Sequence, residues 1–399
     1  MERIIANEGK SGYHIVTSQF AHEAELYAAS QLKIYLEKAS FAVIPYFSDR
    51  CEKRTPEIRV GRNVRGNTDR SDGIGDEGFK IYTDGEDIVI CGRTPRGTVY
   101  GVYRFLEEII GFRCFTKDIE TFDKRGKITV SNIDITENPS FEYRDTYFRG
   151  AFDCDYAVKN RLNSSLALIP NEKGGRTKFY NFHHSFYDIL PPDIYFDEHP
   201  EYYSLVDGVR LKQNGQLCLT NEDAVNEAIK RVKEWIRSRP DCKVFSVAQN
   251  DWSNNCTCPK CRETDEKEGS PSGSIIYFVN RIAEEIEKEY PDVLIHTFAY
   301  QYSRKAPKFI RPRDNVIVRL CNIECSWDEN LREKKANSPE SYTAEFVGNI
   351  TDWGKISKHL YIWDYACNFS YYILPFPNYY ILADNLRYYK ECGVCLLYT

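Results

Sequence analysis

From about residue 140 the chain alternates short apolar runs with amphipathic stretches, and this alternation restricts the fold more than any other feature of the sequence. Short, largely apolar runs at 143–148, 165–169, 216–219, 243–248, 294–300, 316–321, 360–364 and 394–398 read as strands. Among them, 222–237, 274–290, 344–355 and 379–390 carry apolar residues at helical spacing. A parallel sheet with helices laid against it satisfies both, because the strands pair their backbones while the helices bury their apolar stripes. Eight strands spread over roughly 260 residues match the size of a TIM-like (β/α)8 barrel, so the predicted fold class is α/β with such a barrel. A doubly wound open sheet shows the same alternation and is the competing reading. The last run, "GVCLLYT", has no helix after it. Either the barrel is incomplete at its C-terminal end or the chain is a fragment.

The residues before the barrel read as a small α/β domain, with the boundary placed between 1–137 and 138–399. "FAHEAELYAASQLKIYLEKAS" and "TPRGTVYGVYRFLEEIIGFR" have helical periodicity, and "EIRVG" and "GFKIYTDGEDIVICG" read as strands, the latter a hairpin turning at Asp84-Gly85. With 42% apolar and 28% charged residues, the chain has the composition of a globular protein. A net charge of −6 argues against general nucleic-acid binding, and no apolar run is long enough to span a bilayer. No positively charged segment leads into an apolar stretch at the start, and most of the 14 cysteines are scattered singly. A cytoplasmic setting is therefore expected, or a secreted one if a leader has been removed.

In a (β/α)8 barrel the chemistry sits at the C-terminal ends of the strands. The residues just past each apolar run are therefore the candidates for it. Gln249, Asn250, Asp251 and Trp252 succeed one run; Tyr300 and Gln301 another; Asn322 and Glu324 a third. Trp363 ends a run that continues into Asp364, Tyr365 and Asn368, and His183 and His184 come directly after 179–182. Asp251, Glu324 and Asp364 thus share one predicted rim. Two carboxylates in a pocket are what glycoside hydrolysis needs, one protonating the departing oxygen and the other acting at the anomeric centre. The remaining residues supply hydrogen bonds and aromatic faces for a sugar. The content of 29 Tyr, 22 Phe and 5 Trp fits that use, although rings also fill cores. The two histidines point opposite ways on an extended segment, so only one can reach a given centre, and no metalloprotease spacing accompanies them.

Beyond Asp251 come Cys256, Cys258 and Cys261, a CxC overlapping a CxxC. A structural zinc stapling the loop, a disulfide between two of the three, and free thiols are all open readings. A zinc would need a fourth ligand, and the nearest distal thiol, Cys242, lies at the other end of the preceding strand. No cofactor is required by the carboxylate chemistry. The glycines of "RGTVYGVY" do not form the patterns of nucleotide binding, and GxSxG is absent.

"TPRGTVYGVYRFLEEIIGFRCF" is similar to the end of the small α/β domain that precedes the barrel in α-glucuronidases and β-hexosaminidases. "SVAQNDWSNNCTCPKCRETDEKEG", "FVNRIAEEIEKEYPDVLIHTFAYQYSRKAPK", "RPRDNVIVRLCNIEC" and "LYIWDYACNFSYYILPFPN" resemble bacterial proteins long catalogued as a domain of unknown function, some of them placed in glycoside hydrolase family 163. That resemblance implies a retaining endo-β-N-acetylglucosaminidase acting on N-glycans, with Asp251 as acid/base and Glu324 or Asp364 as its partner. The partner would attack directly or orient a participating 2-acetamido group. Two other functions fit the same residues: a carbohydrate-binding protein with this fold and no turnover, and a zinc-stapled interaction protein.

Overall fold

The computed structural model describes residues 2–65, 73–334 and 341–398. The chain packs as two compact units, Met1–Ser140 with Arg144–Arg176, and Phe141–Tyr143 with Thr177–Thr399. Beyond the boundary expected at 137, Arg144–Arg176 thus belongs to the first unit, while Phe141–Tyr143 belongs to the second.

The first unit is built on a six-stranded sheet in the order Asp134–Glu137, Phe79–Asp84, Asp87–Gly92, Glu57–Val60, His14–Thr17, Tyr46–Ser48. Helices Glu23–Ser40 and Pro95–Ile110 share its core. The second begins where Thr94 caps the Gly97 N–H and Pro95 occupies the first turn, and it ends at Gly111 in the left-handed conformation. Val99, Val102, Phe105 and Leu106 form its buried stripe. The glycines of this segment have a packing role. A side chain on Gly92 would sit 2.2 Å from the Thr98 nitrogen, and one on Gly97 would sit 2.4 Å from the Gly78 carbonyl, so the helix start lies directly on the hairpin. The expected strand at 165–169 is irregular. Its apolar residues Ala167 and Ile169 are buried in the core of this first unit, which is what made the run look like a strand.

The second unit carries a seven-stranded sheet: β1 (Tyr143–Asp145), β2 (Phe179–Tyr180), β3 (Val244–Ser246), β4 (Leu294–Ala299), β5 (Val316–Cys321), β6 (His359–Trp363) and β7 (Val394–Tyr398). The order is β1-β7-β6-β5-β4-β3-β2, and the pairs from β2 through β7 are all parallel. Burial follows the strand period of two. On β5, Val316, Val318 and Leu320 face the large core shared with the helices, while Ile317 and Cys321 belong to inner clusters that gather residues of β3, β4 and β6. Helix Glu222–Ser238, capped by Asn221 with Glu222 and Asp223 in its first turn, covers the sheet with Ala224, Val225, Ala228, Val232 and Trp235. Ser272–Glu287 and Tyr342–Ile356 do the same with their own apolar stripes.

The first and last strands are neighbours, as they are where a barrel closes. A complete (β/α)8 barrel is not present among the described residues. Seven strands replace the expected eight, and β1 and β2 share no ladder; Tyr143 and Phe179 meet there as rings 5.0 Å apart. The second strand is Phe179–Tyr180, and the expected strand at 216–219 forms only a single bridge, between Tyr203 and Leu217. Leu217, Cys218 and Leu219 are buried, and burial by itself gives a strand-like pattern in sequence. No helix among the described residues is long and apolar enough to cross a membrane.

Candidate active site

Parallel pairing brings the C-terminal ends of β2 to β6 onto one rim. Below the rim, Phe298, Cys321 and Trp363 form an apolar floor continuous with Tyr300 and Tyr365. Deeper still, Arg319 of β5 lies against Phe182, 4.3 Å from the ring centre, with Phe179, Phe298 and Trp363 around it. Beside it His296 is fully buried, and burial and Arg319 hold its imidazole well below the usual range. The Ser246 hydroxyl donates to the His183 carbonyl at 2.9 Å, so the single hydroxyl proton is used and His296 Nδ1, also at 2.9 Å, must be the donor to Ser246.

The segment after β3 is held from both sides. Gln249 is fully buried, donating to the Tyr300 carbonyl at 3.2 Å and accepting from the Ser303 hydroxyl at 2.5 Å. Asn250 donates its amide to the Gly215 carbonyl at 2.9 Å. The Gln216 side chain accepts from the Asn250 N–H at 2.8 Å and donates to the carbonyls of Asn250 and Trp252 at 2.9 and 2.5 Å. Gln249 and Asn250, expected to touch substrate, are thus engaged within the fold. Between these fixed flanks stands Asp251 with its side chain 61% exposed, next to a half-exposed Trp252.

His184 reaches the same place. Its Nδ1 lies 2.5 Å from the Gln249 carbonyl, which can only accept, so Nδ1 carries the proton and Nε2 faces Asp251 Oδ1 at 3.8 Å. His183 turns the other way, its ring 5.9 Å from Trp363. Tyr300 follows β4, the strand that lies between β3 and β5 in the sheet. Burial, then the charge and hydrogen bonding of Asp251, and further the charge of Glu324, hold its phenol above the usual range, so it stays a neutral donor. Gln301 donates to the Tyr300 hydroxyl at 3.0 Å.

Glu324, after β5, is partly exposed and paired with Arg304 at 2.5 Å. Arg304 is itself buried. Its second guanidinium nitrogen pairs with Glu345 at 3.1 Å, and its carbonyl accepts from the Trp353 indole at 2.8 Å. Asp364, after β6, has a different environment: it is buried and accepts from the Asn322 amide at 2.5 Å and the Tyr389 hydroxyl at 2.9 Å. Burial raises its pKa, more than those two hydrogen bonds lower it. Asn322, also expected at the substrate, uses its carbonyl oxygen on the Tyr365 N–H at 2.9 Å, and the Asn368 carbonyl oxygen closes a turn onto Ser370. The structure therefore brings Asp251, Glu324, Tyr300, Tyr365 and His184 together and sets Asp364 behind them. Trp363, Tyr365 and Trp327 stack in sequence, at 6.2 and 5.8 Å with planes 21° and 15° apart, forming one aromatic shelf at the rim.

Sequence reasoning missed Arg304, Trp327, Gln216 and Tyr389. Each lies far along the chain from the group it serves, and only "YSRK" directly after the β4 rim residues could have pointed to Arg304. Cys256, Cys258 and Cys261 are buried apart from the rim carboxylates, clustered with Cys218.

Residues 114–399 match the family described as "Domain of unknown function (DUF4838)". The chain belongs to this family. No curated protein matches it. Among solved structures it is similar to a GH115 4-O-methyl-α-glucuronidase with specificity for decorated arabinogalactans, at 11% identity and a TM-score of 0.58, over 99% of this chain and 54% of that one. It is also similar to the Flavobacterium johnsoniae chitobiase of family GH20, at 11% identity and a TM-score of 0.50, over 100% of this chain and 62% of that one. At such identity the likeness is one of fold, and that fold is glycosidase-like. The chain spans little more than half of the glucuronidase and less than two thirds of the chitobiase.

Proposed function

We propose that the chain is the catalytic part of a retaining glycoside hydrolase that cleaves β-linked N-acetylglucosamine in N-glycan-type substrates. The observation that carries this reading is that β3, β4 and β5 are neighbours in the sheet, so that the segments carrying Asp251, Tyr300 and Glu324 follow adjacent strand ends, with the stacked rings of Trp363, Tyr365 and Trp327 after β5 and at the end of β6. Asp251 protonates the departing glycosidic oxygen and then removes a proton from the incoming water. Glu324, oriented by Arg304, acts at the anomeric side, as nucleophile or by orienting the 2-acetamido group as its oxygen attacks. Tyr300 supplies a neutral hydroxyl to the same space, and the shelf of Trp363, Tyr365 and Trp327 offers ring faces to a pyranose. Asp364, the alternative to Glu324 as partner of Asp251 in the sequence reading, is better suited to holding Asn322 and Tyr389 in place.

The test is hydrolysis of a chromogenic β-N-acetylglucosaminide and of an N-glycan by the wild-type chain. Product release should be lost in Asp251→Asn and in Glu324→Gln, with folding intact. Glycan binding without any turnover by the wild type would instead support a binding protein and overturn the enzymatic reading.

A further inference from the structure

We infer that Cys218, Cys256, Cys258 and Cys261 hold one zinc ion that staples the loop carrying Asp251 to the segment carrying Gln216. The four sulfurs, one from each residue, all lie within 4.8 Å of one another. A tetrahedral zinc with Zn–S bonds of about 2.3 Å sets its sulfurs roughly 3.8 Å apart, and Cys218 Sγ and Cys258 Sγ are separated by 3.6 Å. A disulfide would need about 2.05 Å, and all four residues are free thiols. Every one is buried, with no more than 7% exposed. Single buried cysteines are ordinary small hydrophobes, but four thiols converging on one point gain nothing from apolar packing that a smaller residue would not supply.

The surroundings suit thiolates. The Leu205 N–H points at Cys256 Sγ at 3.3 Å, the Arg210 guanidinium lies 3.9 Å from the same sulfur, and the Thr220 hydroxyl lies 3.2 Å from Cys261 Sγ. Donors to ligand sulfurs fix their orientation, and one cation offsets part of the double negative charge of a zinc tetrathiolate. Four protein ligands leave no open position, which makes this a structural centre and not a catalytic one. The fourth ligand, Cys218, is not the thiol nearest in sequence before the CxC. Cys242, which is nearer, is buried in the main core under the helices.

The position of the cluster gives the ion its role. Cys218 lies two residues beyond Gln216, whose side chain grips the backbone on both sides of Asp251, and Cys256 opens the next turn of the same loop. With zinc bound, the two segments are crosslinked at one end by metal and at the other by the Gln216 hydrogen bonds. The effect on Asp251 rests on the proposed function; the metal site does not.

The experiment starts with the full chain purified from zinc-supplemented cells. About one equivalent of zinc per chain is expected, released as a mercurial reagent titrates the cluster thiols. Cys218→Ser should lower bound zinc at least tenfold, while Cys242→Ser should retain it. Removing the metal with a chelator should open the loop to trypsin after Lys260 and Arg262. A zinc-free wild type, a disulfide in place of thiols, iron in place of zinc, or full zinc retention in Cys218→Ser would each overturn the assignment. Zinc content of Asp251→Asn separates the two proposals, because it should equal that of the wild type whether or not the chain hydrolyses glycans. Should Cys218→Ser fail to fold, the wild-type metal content and thiol titration still decide the question.

Discussion

The loop after β3 and the loop after β6 begin alike, each with a carboxylate one to five residues past a buried parallel strand, and end in opposite arrangements. After β3 the backbone is fixed by buried amides from Gln216, Asn250 and Gln249, and the carboxylate between them is left open. After β6 the carboxylate itself is buried, held by Asn322 and Tyr389, while the loop beyond exposes Phe369, Tyr371, Tyr372 and Ile373. Where neutral amides satisfy the backbone, an acid is free to meet a substrate. Where the acid satisfies the amides, it becomes part of the frame.

Exchanging the two acids for amides is the most forceful way to break this contrast. Asp251→Asn should lower kcat by about 10²–10⁴-fold, the usual worth of a general acid–base, without moving the melting temperature. Asp364→Asn should leave most of the turnover, and equal losses from both would erase the distinction. Next in size is Gln216→Ala, which strips the partners of the Asn250 N–H and of two carbonyls. A loss of about 1–3 kcal/mol is expected in chemical denaturation, together with a fall in turnover as Asp251 loses its fixed flanks.

The pH dependence of stability sharpens the comparison further. Burial raises the Asp364 pKa in the folded chain, so between the unfolded value and the folded one the native state binds the proton more tightly. Its contribution is then fully present below the unfolded carboxylate pKa, about 3.9, and is lost as pH rises through the folded value, at no more than about 1.4 kcal/mol per pH unit. Asp364→Asn, which has no proton to lose, should flatten that decline in melting curves recorded from pH 4 to 7. The smallest effect belongs to the exposed part of the second loop: Ile373, 98% exposed, should be replaceable by Ser within about 0.5 kcal/mol.

The strands β3 to β7 were legible because compact apolar runs between helical patterns leave few alternatives. The rim positions of Asp251 and Glu324 followed from those strands. The strands at 165–169 and 216–219 were misread because burial in any setting imitates a buried strand; one of these runs lies in the core of the first unit, and the other supports the loop after β3. The true second strand is two residues long, too short for any periodicity. Asp251 and Asp364, both read as rim carboxylates, differ in setting for a related reason. Strand-end position says that a carboxylate reaches the rim, while Tyr389, on a later helix, decides whether that carboxylate stays open.

By itself the sequence determined the α/β alternation, the rim of carboxylates and the three clustered cysteines, because each is written in neighbouring residues whose spacing sets their direction. Only the tertiary structure decided that Arg304 holds Glu324, that Asn322 and Tyr389 enclose Asp364, and that Cys218 completes the thiol cluster. The contacts Arg304–Glu324, Asn322–Asp364, Asp364–Tyr389 and Cys218–Cys258 join residues 20 to 42 positions apart, and they depend on how the strands are ordered in the sheet. A linear pattern carries the period of each element, whereas the partner of a buried polar group is set by which elements the fold lays side by side.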